Sequence, residues 1–85
     1  MKTGLEFEKV MSGVLAAIGV ELRAAVQQHA SMHSAHEAYA VILEELDEFK
    51  AEVWKKRERR SNDKMWRELI QTAAMCARAI IDLGL

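Results

Sequence analysis

Apolar residues recur along this chain in steps of three and four. Phe7, Met11, Val14, Ile18, Leu22 and Ala25 form one such seam. Ala35, Tyr39, Ile42, Leu46, Phe49 and Val53 form a second, and Trp66, Ile70, Ala73, Ala77 and Ile80 a third. This is the period of one face of an α-helix, whereas a half-buried strand repeats every second residue. No stretch has the β-branched and aromatic alternation of a strand. Alanine is abundant and proline, which breaks helix interiors, is absent. The pattern predicts an all-α fold with three main helices.

Local signals place the boundaries. The first helix is expected from about Leu5 to His29, with Gly13 and Gly19 weakening it or permitting close helix approach. The connection Ala30-Ser31-Met32-His33 is short and polar, so the second helix should fold back antiparallel. Ser34 followed three residues later by Glu37 reads as a capping box, in which each side chain satisfies a free backbone N–H. The second helix should end in Lys55 to Asn62, a charged turn without apolar anchors. Asn62 or Asp63 can cap the third helix, and Gly84 fits its stop. Three helices, up-down-up, make a small antiparallel helical bundle, with 1–85 as a single domain.

A chain of 85 residues buries only roughly 60–65% of its unfolded surface, so a monomer would be marginally stable. Leu43, Trp54, Leu69 and Met75 are apolar but lie off the three seams. Homo-oligomerisation is therefore expected to complete the bundle. The net charge of −1 gives no overall field to attract nucleic acid or a membrane. One cysteine, Cys76, excludes an internal disulfide and fits a reducing cytoplasm; its alanine-rich setting predicts a buried, inert thiol. Val14 to Val20, preceded by Lys2 and Lys9, has the look of a short leader core. Glu6 and Glu8 interrupt it and the apolar positions continue through Leu22 and Val26, so it reads as a structural helix. No segment is expected to reach the length of a membrane span.

The segment Glu44-Glu45-Leu46-Asp47-Glu48 carries the chemistry. Residues three and four apart share a helix face, so Glu44, Glu45 and Glu48 crowd one turn. None of them has a lysine or arginine three or four positions away. Like charges at this spacing destabilise a helix unless a cation is supplied, and a hard divalent metal takes oxygen ligands of this kind. Glu45 should lie near the edge of the second seam and Glu44 further round. Glu68, on the third helix, can return to face them. The competing interpretation is a solvated acidic face, with Glu52 pairing Lys55 or Lys56 and Glu68 pairing Lys64.

Three stretches resemble the MazG-like, all-α nucleoside triphosphate pyrophosphohydrolases. They are His33-Ser34-Ala35-His36-Glu37-Ala38, Ile42-Leu43-Glu44-Glu45-Leu46-Asp47-Glu48 and Arg67-Glu68-Leu69-Ile70-Gln71-Thr72-Ala73-Ala74. The family carries E-E-x-x-E on one helix and E-x-x-D on the next. The first motif matches in full; the second matches at Glu68 but has Gln71 in place of Asp. The resemblance implies Mg²⁺, with Mn²⁺ as an alternative, and cleavage of a nucleoside triphosphate to monophosphate and pyrophosphate by a dimer or tetramer. It implies Glu45, Glu48 and Glu68 as metal ligands and Gln71 as a weak or water-mediated one. Glu44 and Glu48 would be catalytic, Glu44 as ligand or water-orienting base.

Lys55, Lys64, Arg67 and Arg78 are candidates for substrate phosphates. The run Lys55 to Arg60 otherwise reads as a solvated turn, and nucleic-acid binding through it is a weaker alternative. His33 and His36 lack the further ligands a zinc site needs and read as polar residues around a helix start. Trp54 and Trp66 read as packing residues flanking the core, and Met11, Met65 and Met75 as core or interface fillers. The remaining alternative is a non-catalytic helical assembly module that keeps the bundle without the activity.

Overall fold

Each of the three long helices starts at a hydroxyl side chain. In the computed structural model, which describes residues 3–85, α1 (Gly4–Gln28) is capped by Thr3, α2 (Ala35–Val53) by Ser34 and α3 (Asn62–Leu83) by Ser61. A single 3₁₀ turn, Arg57–Arg59, lies between α2 and α3. The capping box forms in full at α1, where Thr3 and Glu6 each accept the other's backbone N–H at 3.1 and 3.2 Å. At α2 only half of it forms. Ser34 accepts the Glu37 N–H, but the Glu37 carboxylate reaches back one residue further, to the N–H of His33. The cap of α3 is Ser61, not Asn62 or Asp63; its hydroxyl accepts the Lys64 N–H at 3.1 Å. Gly84 ends α3 at φ 67°, a left-handed conformation that a Cβ would strain. Lys2, invoked in the leader reading, lies outside the described residues.

α3 is the central element and packs against both α2 and α1. α2 runs antiparallel to it: Met32 and Ala38 meet Ala79 at one end, and Glu52 bonds the backbone of Ser61 at the other. The C-terminal turn of α1 reaches the same end of α3 through Arg78. This guanidinium donates to the carbonyls of Ala25 and His29 and to Asp82 Oδ2, and Asp82 in turn accepts the Met32 N–H at 2.9 Å. Helices leave their last carbonyls unpaired, so a buried cation placed there satisfies both the hydrogen bonds and the helix dipole. The order up-down-up agrees with expectation.

The core is small. Among the described residues its buried apolar members are Ala25, Met32, Ala38, Ile70, Ala74 and Ala79, joined by buried Glu52, Glu68 and Arg78. The radius of gyration is 14.6 Å, against about 12 Å for a compact domain of this length.

Of the expected seams, only that of α1 faces inward as drawn: Met11, Val14, Ile18 and Leu22 are half-buried and Ala25 is buried, with exposed Phe7 running past the packed region. The inward face of α2 is rotated, carrying Ala38, Val41, Ile42, Glu45, Phe49 and Glu52, while Ala35, Tyr39 and Leu46 are exposed. Glu45 is thus on the seam, not at its edge. In α3 the seam is split: Ile70 is buried and Ala73 and Ala77 are half-buried, while its two ends face outward. Trp66 and Ile80 are 50% and 53% exposed, and Leu69 and Cys76 share their face. The inner side of α3 carries Glu68, Gln71, Ala74, Met75, Arg78 and Asp82.

Three sequence expectations are corrected by this arrangement. Cys76 is exposed, because its face of α3 is uncovered. Trp54 and Trp66 are exposed rather than packed, and Trp54 carries the Lys50 ammonium 5.7 Å from its ring centre. α1, at 25 residues, is long and apolar enough by length and composition to cross a membrane. It also carries Glu6, Glu8, Lys9, Glu21 and Arg23, and packs one face on α3.

Candidate functional site

Glu45 and Glu48 lie one turn apart on α2, and the antiparallel return of α3 sets Glu68 opposite them. One carboxylate oxygen from each of the three lies within 4.8 Å of the other two. Glu68 is 9% exposed, Glu45 half-buried and Glu48 exposed. Oε2 of Glu45 and Oε2 of Glu68 are both buried and have no hydrogen-bond partner. A buried acceptor left unpaired costs about 1–3 kcal/mol, more when charged, so two of them side by side are a local cost that a bound cation or proton could offset.

The electrostatics follow from the crowding. Burial is the largest influence raising the pKa of Glu45, followed by the charges of Glu48, Glu68, Glu44 and Glu21. Burial also raises Glu68, as do its hydrogen-bonding contact with Glu48 and that group's charge; Lys64 and Arg67 pull the other way. Without a cation, carboxylates this close favour shared protons over full ionisation.

Glu44 and Gln71 take different positions. Both line a cleft of about 500 Å³ between α1 and α2, floored by α3, with Glu45 at its wall. Glu44 is exposed there, one residue from the three-carboxylate cluster. Gln71, one turn from Glu68, lines the same cleft. The sequence-predicted acidic set is therefore brought to one region, with three members converging and Glu44 and Gln71 beside them.

The expected phosphate contacts separate. Lys64 and Arg67 lie close enough for their charges to act on Glu68. Lys55 instead binds Glu52 at 2.8 Å, and Lys64 Nζ is 3.9 Å from the same oxygen. Arg78 is 3% exposed and spends Nε, NH1 and NH2 on Asp82 and the end of α1. Its role is to dock α1, a correction to the phosphate-contact reading.

The competing interpretation put Glu52 on a solvated face paired with Lys55 or Lys56; the Lys55 pair forms, but Glu52 is 1% exposed. Its carboxylate accepts from Lys55 Nζ and from the Ser61 N–H, and these bonds, the lysine's first, hold it below the usual carboxylate range. It staples the α2–α3 turn. The signal was available: Glu52 lies seven residues after Glu45, on the same face. Glu21 was also overlooked. It is the acidic residue between Ile18 and Leu22 on the inward face of α1, and it lines the cleft.

Oxygen-only donors, three of them carboxylates from two rigid helices and two with unpaired buried oxygens, suit a hard divalent cation of the Mg²⁺ class. No protein-family model, curated protein or solved structure matches the chain.

Proposed function

We propose that this chain is a divalent-cation-dependent nucleoside triphosphate pyrophosphohydrolase of MazG-like fold. It would convert an NTP or dNTP to the monophosphate and pyrophosphate, acting in cytoplasmic house-cleaning of the nucleotide pool as a homo-oligomer. The observation that carries this reading is the convergence of Glu45, Glu48 and Glu68 within 4.8 Å, with an unpartnered buried oxygen on each of Glu45 and Glu68. Those three residues would hold Mg²⁺ or Mn²⁺, with Gln71 a neutral donor beside them. The bound cation supplies neutralisation of the phosphate oxygens and a lowered pKa for water at the site.

The chain's own groups supply the rest. Glu44, exposed and lining the cleft, would orient the attacking water and accept its proton. Lys64 and Arg67, on the Glu68 side, can meet phosphate oxygens that the carboxylates would otherwise repel. The cleft, walled partly by alanine and methionine side chains, has room for a nucleoside.

The test is a panel of ribo- and deoxyribonucleoside triphosphates with Mg²⁺ or Mn²⁺, followed by release of pyrophosphate. At least one should be turned over, and Glu48→Gln should lower the rate by about a hundredfold or more, since charge stabilisation worth several kcal/mol is removed. A second reading, a non-catalytic helical assembly module, is favoured by Gln71 standing where the family motif has Asp and by the uncovered apolar face of α3. A panel without any turnover would select it.

A further inference from the structure

We propose that Glu21 of α1 belongs to the acidic set of the cation site, supplying from a third helix negative charge that Gln71 lacks. This rests on the divalent-cation reading above and adds to it a residue outside both acidic motifs. Every other inward residue of α1 from Met11 to Ala25 is apolar or small: Met11, Val14, Ala17, Ile18, Gly19, Leu22, Ala24 and Ala25. Glu21 alone interrupts that face. It is half-buried, and none of the salt bridges among the described residues includes it. A half-buried carboxylate without a cationic partner is costly, and an alanine or leucine would pack on α3 at no such cost.

Its position explains why it is there. Glu21 lines the same cleft as Glu44, Glu45 and Gln71, across from α2, and its charge bears on the Glu45 carboxylate. The trio carries its own sign of a ligand: Glu45, which lines this cleft, and Glu68, 9% exposed, each keep Oε2 buried without a partner. With Gln71 neutral, Glu45, Glu48 and Glu68 provide three negative charges; Glu21 adds one more on the Gln71 side of the site. Glu21 lies outside the trio whose oxygens approach within 4.8 Å. It is a positioning residue that deepens the negative potential of the cleft and orders the outer sphere of the cation.

The experiment titrates Mg²⁺ into the full chain by calorimetry and follows melting temperature against Mg²⁺ for wild type, Glu21→Gln, Glu8→Gln and the double variant Glu21→Gln/Gln71→Asp. Glu21→Gln is isosteric and should fold, with an unchanged or raised melting temperature without Mg²⁺, because an unpaired charge is removed. Its Mg²⁺ dissociation constant should rise by about tenfold or more, the scale on which outer-sphere partners act. Glu8→Gln, which removes the same charge from an exposed position on the same helix, should match wild type. The double variant should recover most of the lost affinity. Glu21→Gln within about twofold of wild type would overturn the assignment while leaving the trio standing, as would weakening that Gln71→Asp fails to restore. A wild type that neither binds Mg²⁺ nor melts higher with it would overturn this assignment together with the cation reading.

Discussion

Two carboxylates on this chain are pushed up and two are pulled down, and the four sit at opposite kinds of contact. Glu45 and Glu68 are raised by burial first and then by neighbouring carboxylates. Asp82 is lowered chiefly by the Met32 N–H and then by Arg78, and Glu52 chiefly by Lys55. A raised group binds its proton more tightly folded than unfolded. Its contribution is complete below the ordinary carboxylate range and is lost as pH rises through the folded value. A lowered group contributes above that range, and its contribution is lost as pH falls through the folded value. Without divalent metal, melting temperature should therefore rise as pH is lowered from about 7 to about 5, then fall below about 4. Saturating Mg²⁺ should remove or invert the upper limb, because the cation holds the same carboxylates ionised. An upper limb unchanged by Mg²⁺ would count against the site. Gln71→Asp gives a second test. Opposite charges about 4 Å apart interact by roughly 4 kcal/mol at an effective dielectric near 20, before desolvation and carboxylate repulsion subtract. The variant should show a larger Mg²⁺-dependent rise in melting temperature than wild type and a lower value without Mg²⁺. Flat curves for both proteins would contradict the cation site.

At the scale of elements, the chain is held by polar staples as much as by apolar contact. Arg78 and Asp82 join the end of α1, the start of the α1–α2 connection and α3. Glu52 and Ser61 join the end of α2 to the start of α3. Arg78→Met keeps the aliphatic bulk but strands the Ala25 and His29 carbonyls and the Asp82 carboxylate. It should cost about 3 kcal/mol, read as a lower urea midpoint, with amide exchange accelerating first in α1. Lysine at this position should recover only part of the loss, since a single ammonium cannot reproduce the guanidinium fork. Exchange that accelerates uniformly over the three helices would contradict the docking role. These staples explain why two of the three buried charged residues, Glu52 and Arg78, are tolerated in so small a core.

The whole molecule leaves an apolar stripe of its central helix uncovered. On α3 the apolar residues Trp66, Leu69 and Ile80 point away from α1 and α2, while the polar ones line the site. An expanded radius of gyration and an exposed apolar stripe on the central helix are what a protomer of the proposed homo-oligomer would show. Light scattering at micromolar concentration should return a dimer or larger. Leu69→Glu, at the middle of the stripe, should shift it toward monomer and lower the melting temperature. A wild type that scatters as a monomer, with Leu69→Glu no less stable, would remove this part of the proposal.

Helix number, helix limits and the clustering of Glu44, Glu45 and Glu48 were all legible in the residues, because each depends on spacing along one helix and on local caps. Periodicity shows that a helix has an apolar side; it does not say what that side meets. For α3 the whole apolar seam read as core, whereas the packing takes in Ile70 and the small residues and leaves Trp66 and Ile80 at its ends outside. The same limit hid Glu52 and Glu21. A carboxylate is assigned to solvent by its type; spacing gave Glu52 its Lys55 partner, but only the folded chain shows that Glu52 is buried on the Ser61 N–H and that Glu21 lines a shared cleft. Convergence of Glu68 on Glu45 and Glu48 also needed tertiary structure. It depends on the register of α2 against α3, set by the turn that Glu52 closes and by the packing of Ala38 on Ala79. Contacts between residues distant in sequence decide that register, and no pattern within one helix encodes it.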